Sequence, residues 1–216
     1  MYEKMKETIA SFEETIKSDK LKRLFDNCFY NTLDTTIEYL DDGSVYMLTG
    51  DIPAMWLRDS SASVLQCIEF AKEDEDVFNL IKGLIKRQFF YISIDPYANS
   101  FNRDPNGHGH TQDEGERTPY TWERKFEIDS LCYPIWLIYK LYKVTGRKEI
   151  LDSEFVKTCK IIIDVFKKEQ KHHELSDYYH YREGERDGFN IPNHGHGGDI
   201  KYTGMIWSGY RPSDDA

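Results

Sequence analysis

Two acids, an arginine and a tryptophan crowd into the stretch TGDIPAMWLRDS, as Asp51, Trp56, Arg58 and Asp59. Such a set does not dissolve into an apolar core, because an unpaired buried charge costs far more than its burial returns. It either closes on itself as an ion-pair corner or lines a pocket for something polar. Three more stretches share the chemistry: DPYANSFN (95–102), TWERKFEIDS (121–130) and TGMIWSGYRPSDDA (203–216). Three of the four carry Trp, Arg and a carboxylate together, and each borders a predicted helix. Taken singly, an Arg–Asp pair at a helix start is an ordinary ion pair plus N-cap. Their recurrence points to one shared polar site.

A sugar ring fits that chemistry. Its hydroxyls lie in a plane that paired Arg and carboxylate groups read, and its C–H face packs on an indole. Hydrolysis of a glycosidic bond needs two carboxyls in different protonation states. One must keep its proton near neutral pH, which burial and a like-charged neighbour both favour. Asp214 and Asp215, near Trp207 and Arg211 in sequence, are candidates. The same Ser-Asp-Asp after Pro212 also suits a helix N-terminus, and the residues alone leave both readings open.

Other chemistries find less support. HGH occurs twice, at His108–His110 and His194–His196, with Asp113 and Asp199 nearby. A zinc site needs further ligands in fixed geometry, and glycine-rich loops do not provide it, so no metal is expected. P-loop, GxGxxG, GxSxG and HExxH motifs are absent, and no cofactor is expected. The net charge of −10 argues against nucleic acid as a partner, since phosphates demand a basic face. No apolar run reaches the length of a membrane span. MYEKMKETIASFEETIKS has no apolar h-region and reads as an amphipathic helix rather than a signal peptide, with Met5, Ile9, Phe12 and Ile16 on one face. Cys28, Cys67, Cys132 and Cys159 form no CxxC pair and read as reduced core thiols of a cytoplasmic protein.

The elements that must position these motifs are mainly helical. Apolar stripes at helical spacing run through Val77, Leu80, Ile81, Leu84, Ile85 and Phe89, and through Phe155, Cys159, Ile162, Ile163 and Phe166. DSLCYPIWLIYKLYKV (129–144) is apolar on most faces and predicts an inner helix, capped by Asp129 or Ser130 and stopped by Gly146. Further helices are predicted from Lys20 to about Leu33 and from near Asp59 to Ala71. TIEYLDDGSVYMLTG predicts a hairpin turning at Asp42-Gly43, and a second possible hairpin spans Tyr178 to Arg182. Two long polar loops, Pro96 to Pro119 and Glu183 to Lys201, are the kind that carry function. Helix pairs joined by such loops suit an α/α toroid, and a plain helical bundle fits almost as well.

TGDIPAMWLRDS, DPYANSFN, WERKFEIDSLCYP and YTGMIWSGYRPSDDA together resemble glycoside hydrolase family 125, the exo-acting α-1,6-mannosidases. The resemblance runs from about Thr49 to Ala216. It implies an all-α fold, an (α/α)6 barrel with small β-hairpin insertions, and inverting hydrolysis of terminal α-1,6-linked mannose without a metal. It places the general acid in the RPSDDA loop, at Asp215 or Asp214, and gives Arg58 and Asp59 the grip on sugar hydroxyls. Asp51, Trp56, Glu127, Trp207 and Arg211 would form the rest of the pocket wall or its support. The family's general base is a glutamate well beyond that loop. Residues 1–216 therefore read as the N-terminal part of a single catalytic domain, inactive alone, whose C-terminal half and α-mannoside oligosaccharides are the expected partners.

Overall fold

The computed structural model of the chain describes residues 1–110, 112–184 and 190–209. Eight α-helices run through the described residues: α1 (Glu3–Glu13), α2 (Asp19–Phe29), α3 (Asn31–Thr35), α4 (Leu57–Ser63), α5 (Glu75–Ile94), α6 (Ile128–Thr145), α7 (Ser153–Glu169) and α8 (His172–Leu175). Five short strands interrupt them: β1 (Ile37–Tyr39), β2 (Val45–Met47), β3 (Met55–Trp56), β4 (Ser100–Phe101) and β5 (Thr121–Glu123).

The long helices form where the stripes predict them. Asp74 caps α5, its Oδ1 accepting from the Asp76 and Val77 amides at 3.1 and 3.3 Å. Its Oδ2 also accepts from the Met5 amide at 3.0 Å, which ties α1 to the start of α5. Asp152 caps α7 in the same way, and Gly146 ends α6 at φ 67°. The core gathers between α4, α5 and α6 and under the β1–β2 hairpin, around Leu57, Phe78, Leu80, Ile81, Leu84, Tyr91, Leu137 and Leu141.

The β1–β2 hairpin pairs antiparallel, Ile37 opposite Met47 and Tyr39 opposite Val45. Gly43 takes φ 75° at its tip, with its amide donating to the Leu40 carbonyl at 2.9 Å. The hairpin lies on α5 at Gly83, where a Cβ would stand 2.7 Å from Val45 Cγ2 and 3.2 Å from the Gly43 carbonyl oxygen. Close approach, not backbone freedom, fixes that glycine.

Several expectations need correction. Glu127, not Asp129 or Ser130, is the N-cap of α6; the other two lie in its first turn, and the Ser130 hydroxyl donates back to Glu127 Oε2 at 3.0 Å. The segment after Trp56 is not one helix. α4 stops at Ser63 and a 3₁₀ stretch follows over Leu65–Lys72. The Ser60 and Ser61 hydroxyls both bond back to the Leu57 carbonyl, a pattern that loosens a helix. α1 ends before Ile16, and Phe12 is exposed. Residues 178–182 form no hairpin; Arg182 makes a single bridge to Asp113 instead. Of the four free thiols only Cys67 is in the core; Cys28 and Cys132 are exposed. α6 is not an inner helix either, since Trp136 and Tyr139 stand exposed on it.

Replacing Gly83 with Ala tests the hairpin's seat. Alanine favours a helix by about 1 kcal/mol over glycine, but an overpacked core site costs about 1–3 kcal/mol. A net loss of up to about 2 kcal/mol in urea unfolding is expected, and a gain in stability would show that α5 and the hairpin are not in close contact.

Candidate functional site

A small sheet assembles three of the four chemistry-bearing stretches. β3 pairs antiparallel with β4, Met55 opposite Phe101 and Trp56 opposite Ser100, and β4 pairs with β5. The Leu57 amide donates to the Asn99 carbonyl at 3.1 Å, and the Lys125 amide to Asn99 Oδ1 at 3.3 Å. Below the sheet the Tyr91 ring of α5 stacks on Phe101, centroids 4.4 Å apart. Gln88, also on α5, donates from Nε2 to the Ser60 and Ser61 hydroxyls at 2.9 and 2.8 Å and so locks α4 behind the sheet.

The sheet's edge opens into a cleft of about 300 Å³. Asp51, Trp56, Asp59 and Glu127 line it, as do Glu123, Lys125, His110 and Arg182. At one end, Asp59 and Glu127 of the lining pair with Arg58, which does not itself line the cleft and also faces Asp129. The arginine's Nη1 lies 3.3 Å from Asp129 and 3.5 Å from Glu127, and its Nε lies 3.4 Å from Asp59. Burial alone would lower the guanidinium's pKa, and the three acids more than reverse that. Glu127 is 3% exposed. Burial pushes its carboxyl up to about 7; Arg58 and the Ser130 hydroxyl oppose the rise, while Asp129 and Glu123 add to it.

The other end is rich in cations. Glu123 accepts from Arg182 Nη2 at 2.8 Å and from Asn99 Nδ2 at 3.0 Å, with Lys125 Nζ at 3.4 Å. Burial would raise this carboxyl, but Lys125, Asn99 and Arg182 outweigh it and hold it at about 2. Arg182 is anchored through its bidentate contact to Asp113. His110 lies 3.7 Å from Glu123; burial, helped by Arg182, keeps its pKa below the ordinary value and its ring neutral. Two buried glutamates in one cleft are thus driven apart in protonation, a pattern typical of acid–base sites.

In both HGH motifs close packing fixes the central glycine. A Cβ on Gly109 would collide with the Trp122 carbonyl, and one on Gly195 with the His180 carbonyl. His194 stacks on Tyr181 at 4.0 Å and meets Glu114 Oε2 at 2.7 Å. Among the described residues no group of three or more His, Cys, Asp or Glu is placed to hold a metal.

Trp207 lies elsewhere. It is 9% exposed and packs flat on His172, centroids 3.7 Å apart, outside the lining of the cleft. Arg211, Asp214 and Asp215 lie outside the described residues. The sequence reading omitted Glu123, Lys125, His110 and Arg182. The first two lay inside a stretch already singled out for its chemistry, His110 lay in an HGH motif weighed only for metal binding, and Arg182 had no local signal.

A family model described as metal-independent alpha-mannosidase (GH125) matches residues 18–216. The chain belongs to the GH125 family. A Streptococcus pneumoniae structure, from work on metal-independent alpha mannosidases and holding alpha-1,6-mannobiose in a non-productive substrate complex, is similar at TM-score 0.86. It is 46% identical and is matched over 90% of this chain and 46% of its own. The meiotically up-regulated gene 157 protein of Schizosaccharomyces pombe is 30% identical over 234 residues, 98% of this chain and 46% of its own length. The chain therefore spans about half the length of these two relatives. Its helices and small antiparallel sheets make up about half of the family's (α/α)6 barrel.

Glu127 gives a pH signature that needs no substrate. Its folded carboxyl titrates near 7 against an ordinary value of 4.5, so the folded state holds an extra proton between those limits. That stabilisation is complete below about pH 4.5 and is lost as pH rises through about 7. Glu127→Gln keeps the shape of the neutral carboxyl and removes the titration. Urea melts across that window should show the wild type losing a few kcal/mol relative to the variant. Parallel profiles would show that Glu127 titrates normally.

Proposed function

We propose that the chain carries the mannose-gripping part of an inverting, exo-acting α-1,6-mannosidase. The observation that carries this reading is the pairing of Arg58 with Asp59 and Glu127, two acids that line the cleft with Trp56, in a chain of this family. Arg58 and Asp59 would grip hydroxyls of the terminal mannose, with Asp51, Trp56 and Glu127 completing that wall. The Trp56 indole Nε1 and Asp129 Oδ1 are buried without hydrogen-bond partners among the described residues. Donors and acceptors left open in this way suit a site built for hydroxyls.

In the proposed mechanism Asp215 or Asp214 gives its proton to the leaving oxygen. A carboxylate roughly 6.5–9.5 Å away activates water on the opposite face of the sugar, the separation that inversion requires. That base is assigned to sequence outside residues 1–216, in the other half of a single barrel domain. Exposed apolar side chains on α6 and α7, Trp136, Tyr139, Val156 and Ile163, are the surface that half would cover. Trp207 and Arg211 would belong to the rest of the pocket wall or its support. Four free thiols, and no helix among the described residues long and apolar enough to cross a membrane, fit a cytoplasmic enzyme working on glycan fragments.

A second reading makes residues 1–216 a mannose-binding unit without turnover, and the 46% share of each relative's length favours it for the isolated chain. The test uses the full-length protein and the isolated chain on α-1,6-mannobiose and a panel of nitrophenyl glycosides. The full-length protein should release mannose, with inverted configuration and undiminished after EDTA treatment; the isolated chain should release none. Asn at the acid position should cost about 10²–10⁴-fold on mannobiose and less on substrates with acidic leaving groups. Release of glucose but not mannose would overturn the substrate class, and turnover by the isolated chain would return the base to Glu127 or Asp129.

A further inference from the structure

Behind the cleft, five side chains close a ring. Glu169, the last residue of α7, is fully buried and His172 is 2% exposed. His172 Nδ1 lies 2.6 Å from Glu169 Oε2, and Nε2 lies 2.7 Å from the His196 carbonyl oxygen. Its ring lies flat on Trp207 at 3.7 Å and 7°. Trp207 leans on Tyr178 at 5.9 Å, and Tyr178 stacks on Tyr97 at 5.0 Å and 11°. The Tyr97 hydroxyl donates to Glu169 Oε1 at 2.6 Å and closes the ring.

The hydrogen bonds decide the protonation state. A carbonyl oxygen only accepts, so Nε2 must carry a hydrogen. Glu169 Oε1 accepts from both Tyr97 and the Ser176 hydroxyl. Burial works against the Glu169 charge, but hydrogen bonds from His172, Ser176 and Tyr97 outweigh it and hold the carboxyl below its ordinary value. Burial, with Glu169 adding to it, keeps the Tyr97 phenol protonated and donating. A carboxylate that accepts from two hydroxyls and faces a ring nitrogen is held in its ionised form, so the shared proton is placed on Nδ1. Both ring nitrogens then carry hydrogen, and the cation rests on an indole face, the strongest cation–π partner. Other ionisable groups near the ring are Arg124, whose guanidinium lies 5.3 Å from the Tyr97 centroid and 5.4 Å from that of Tyr178, His173, 5.2 Å from His172 between centroids, and Lys171, Glu174 and Lys201 beside the shallow cavity there.

The ring grips the backbone of the site. The Tyr178 hydroxyl accepts from the Phe126 amide at 2.8 Å and donates to the Arg124 carbonyl at 2.9 Å. The Ser208 hydroxyl, next to Trp207, donates to the Phe126 carbonyl at 3.2 Å. Those bonds fall between Glu123, Lys125 and Glu127, which alternate along that segment into the cleft.

We propose that His172 is a buried imidazolium, paired with Glu169 and stacked on Trp207, and that it is the positioning residue for the segment presenting Glu123, Lys125 and Glu127. Its consequence for mannoside hydrolysis rests on the function proposed above; the readouts below do not. In nitrogen-15 spectra of histidine-labelled full-length protein, both ring nitrogens of His172 should carry hydrogen, assigned by the signals missing from His172→Phe. An unprotonated ring nitrogen would overturn the charge state. Glu169→Gln keeps the side chain's shape but removes the charge that holds the second proton. Trp207 emission, taken as the difference from a Trp207→Phe background, should rise in that variant because an imidazolium quenches indole. Amide exchange over residues 122–130 should quicken about tenfold or more in Glu169→Gln and His172→Phe, with exchange in α5 unchanged. Unaltered exchange over 122–130, or an equal rise across the whole protein, would refute the positioning role.

Discussion

One guanidinium holds the site together. Arg58 faces Asp59 from its own helix and Glu127 and Asp129 from the start of α6, so a single positive charge must serve three acids from two segments of chain. Buried charge tolerates little imbalance. Burial, with help from neighbouring acids, leaves Glu127 as the carboxyl that keeps a proton to near neutral pH. Four residues earlier the balance is reversed: Glu123, also buried, faces Lys125 and Arg182 and stays ionised far into acid. The contrast between the two glutamates follows from which cations reach each, and hence from where the strands and loops end.

Two supports set that geometry. In front, β3, β4 and β5 tie Trp56, Ser100 and Glu123 into one small sheet, backed by Tyr91 and Gln88 of α5. Behind, Tyr178 holds the backbone at Arg124 and Phe126, with Tyr97, Trp207 and His172 packed in sequence around Glu169. The cleft lies between a hydrogen-bonded ladder and a buried polar network in which few atoms lack partners. Rigid elements of this kind are what a site needs to hold charged groups in fixed positions without solvent to screen them.

Much of this was legible in the sequence because long periodic signals are robust. The stripes of α5 and α7 and the Asp42-Gly43 turn were written in residue spacing. The crowding of Asp51, Trp56 and Asp59 into one stretch, with Glu127 in another, named four residues that the cleft brings together. Strands of two or three residues show no alternation to read, so β3–β5 were invisible even though they lie within the quoted motifs. Arg182 meets Asp113 across 69 residues, and no local pattern announces such a pairing. Ser60 and Ser61 do lie in helix, with their hydroxyls bonded back to the Leu57 carbonyl, but α4 ends two residues later. Trp207, chosen for its neighbours in sequence, turns to the buried His172 of α8, whose Nε2 bonds to a carbonyl of an HGH loop.

The most direct measurement is calorimetric titration of α-1,6-mannobiose into the full-length protein, wild type against Arg58→Ala, with the fold checked by circular dichroism. Removing the guanidinium leaves Glu127 and Asp129 without their cation, and breaking such a pair costs about 3–5 kcal/mol where it is buried. Binding should fall by a hundredfold or more while the folded signal persists. Equal affinity in the two proteins would mean that Arg58 is only a structural ion pair and that the sugar lies elsewhere.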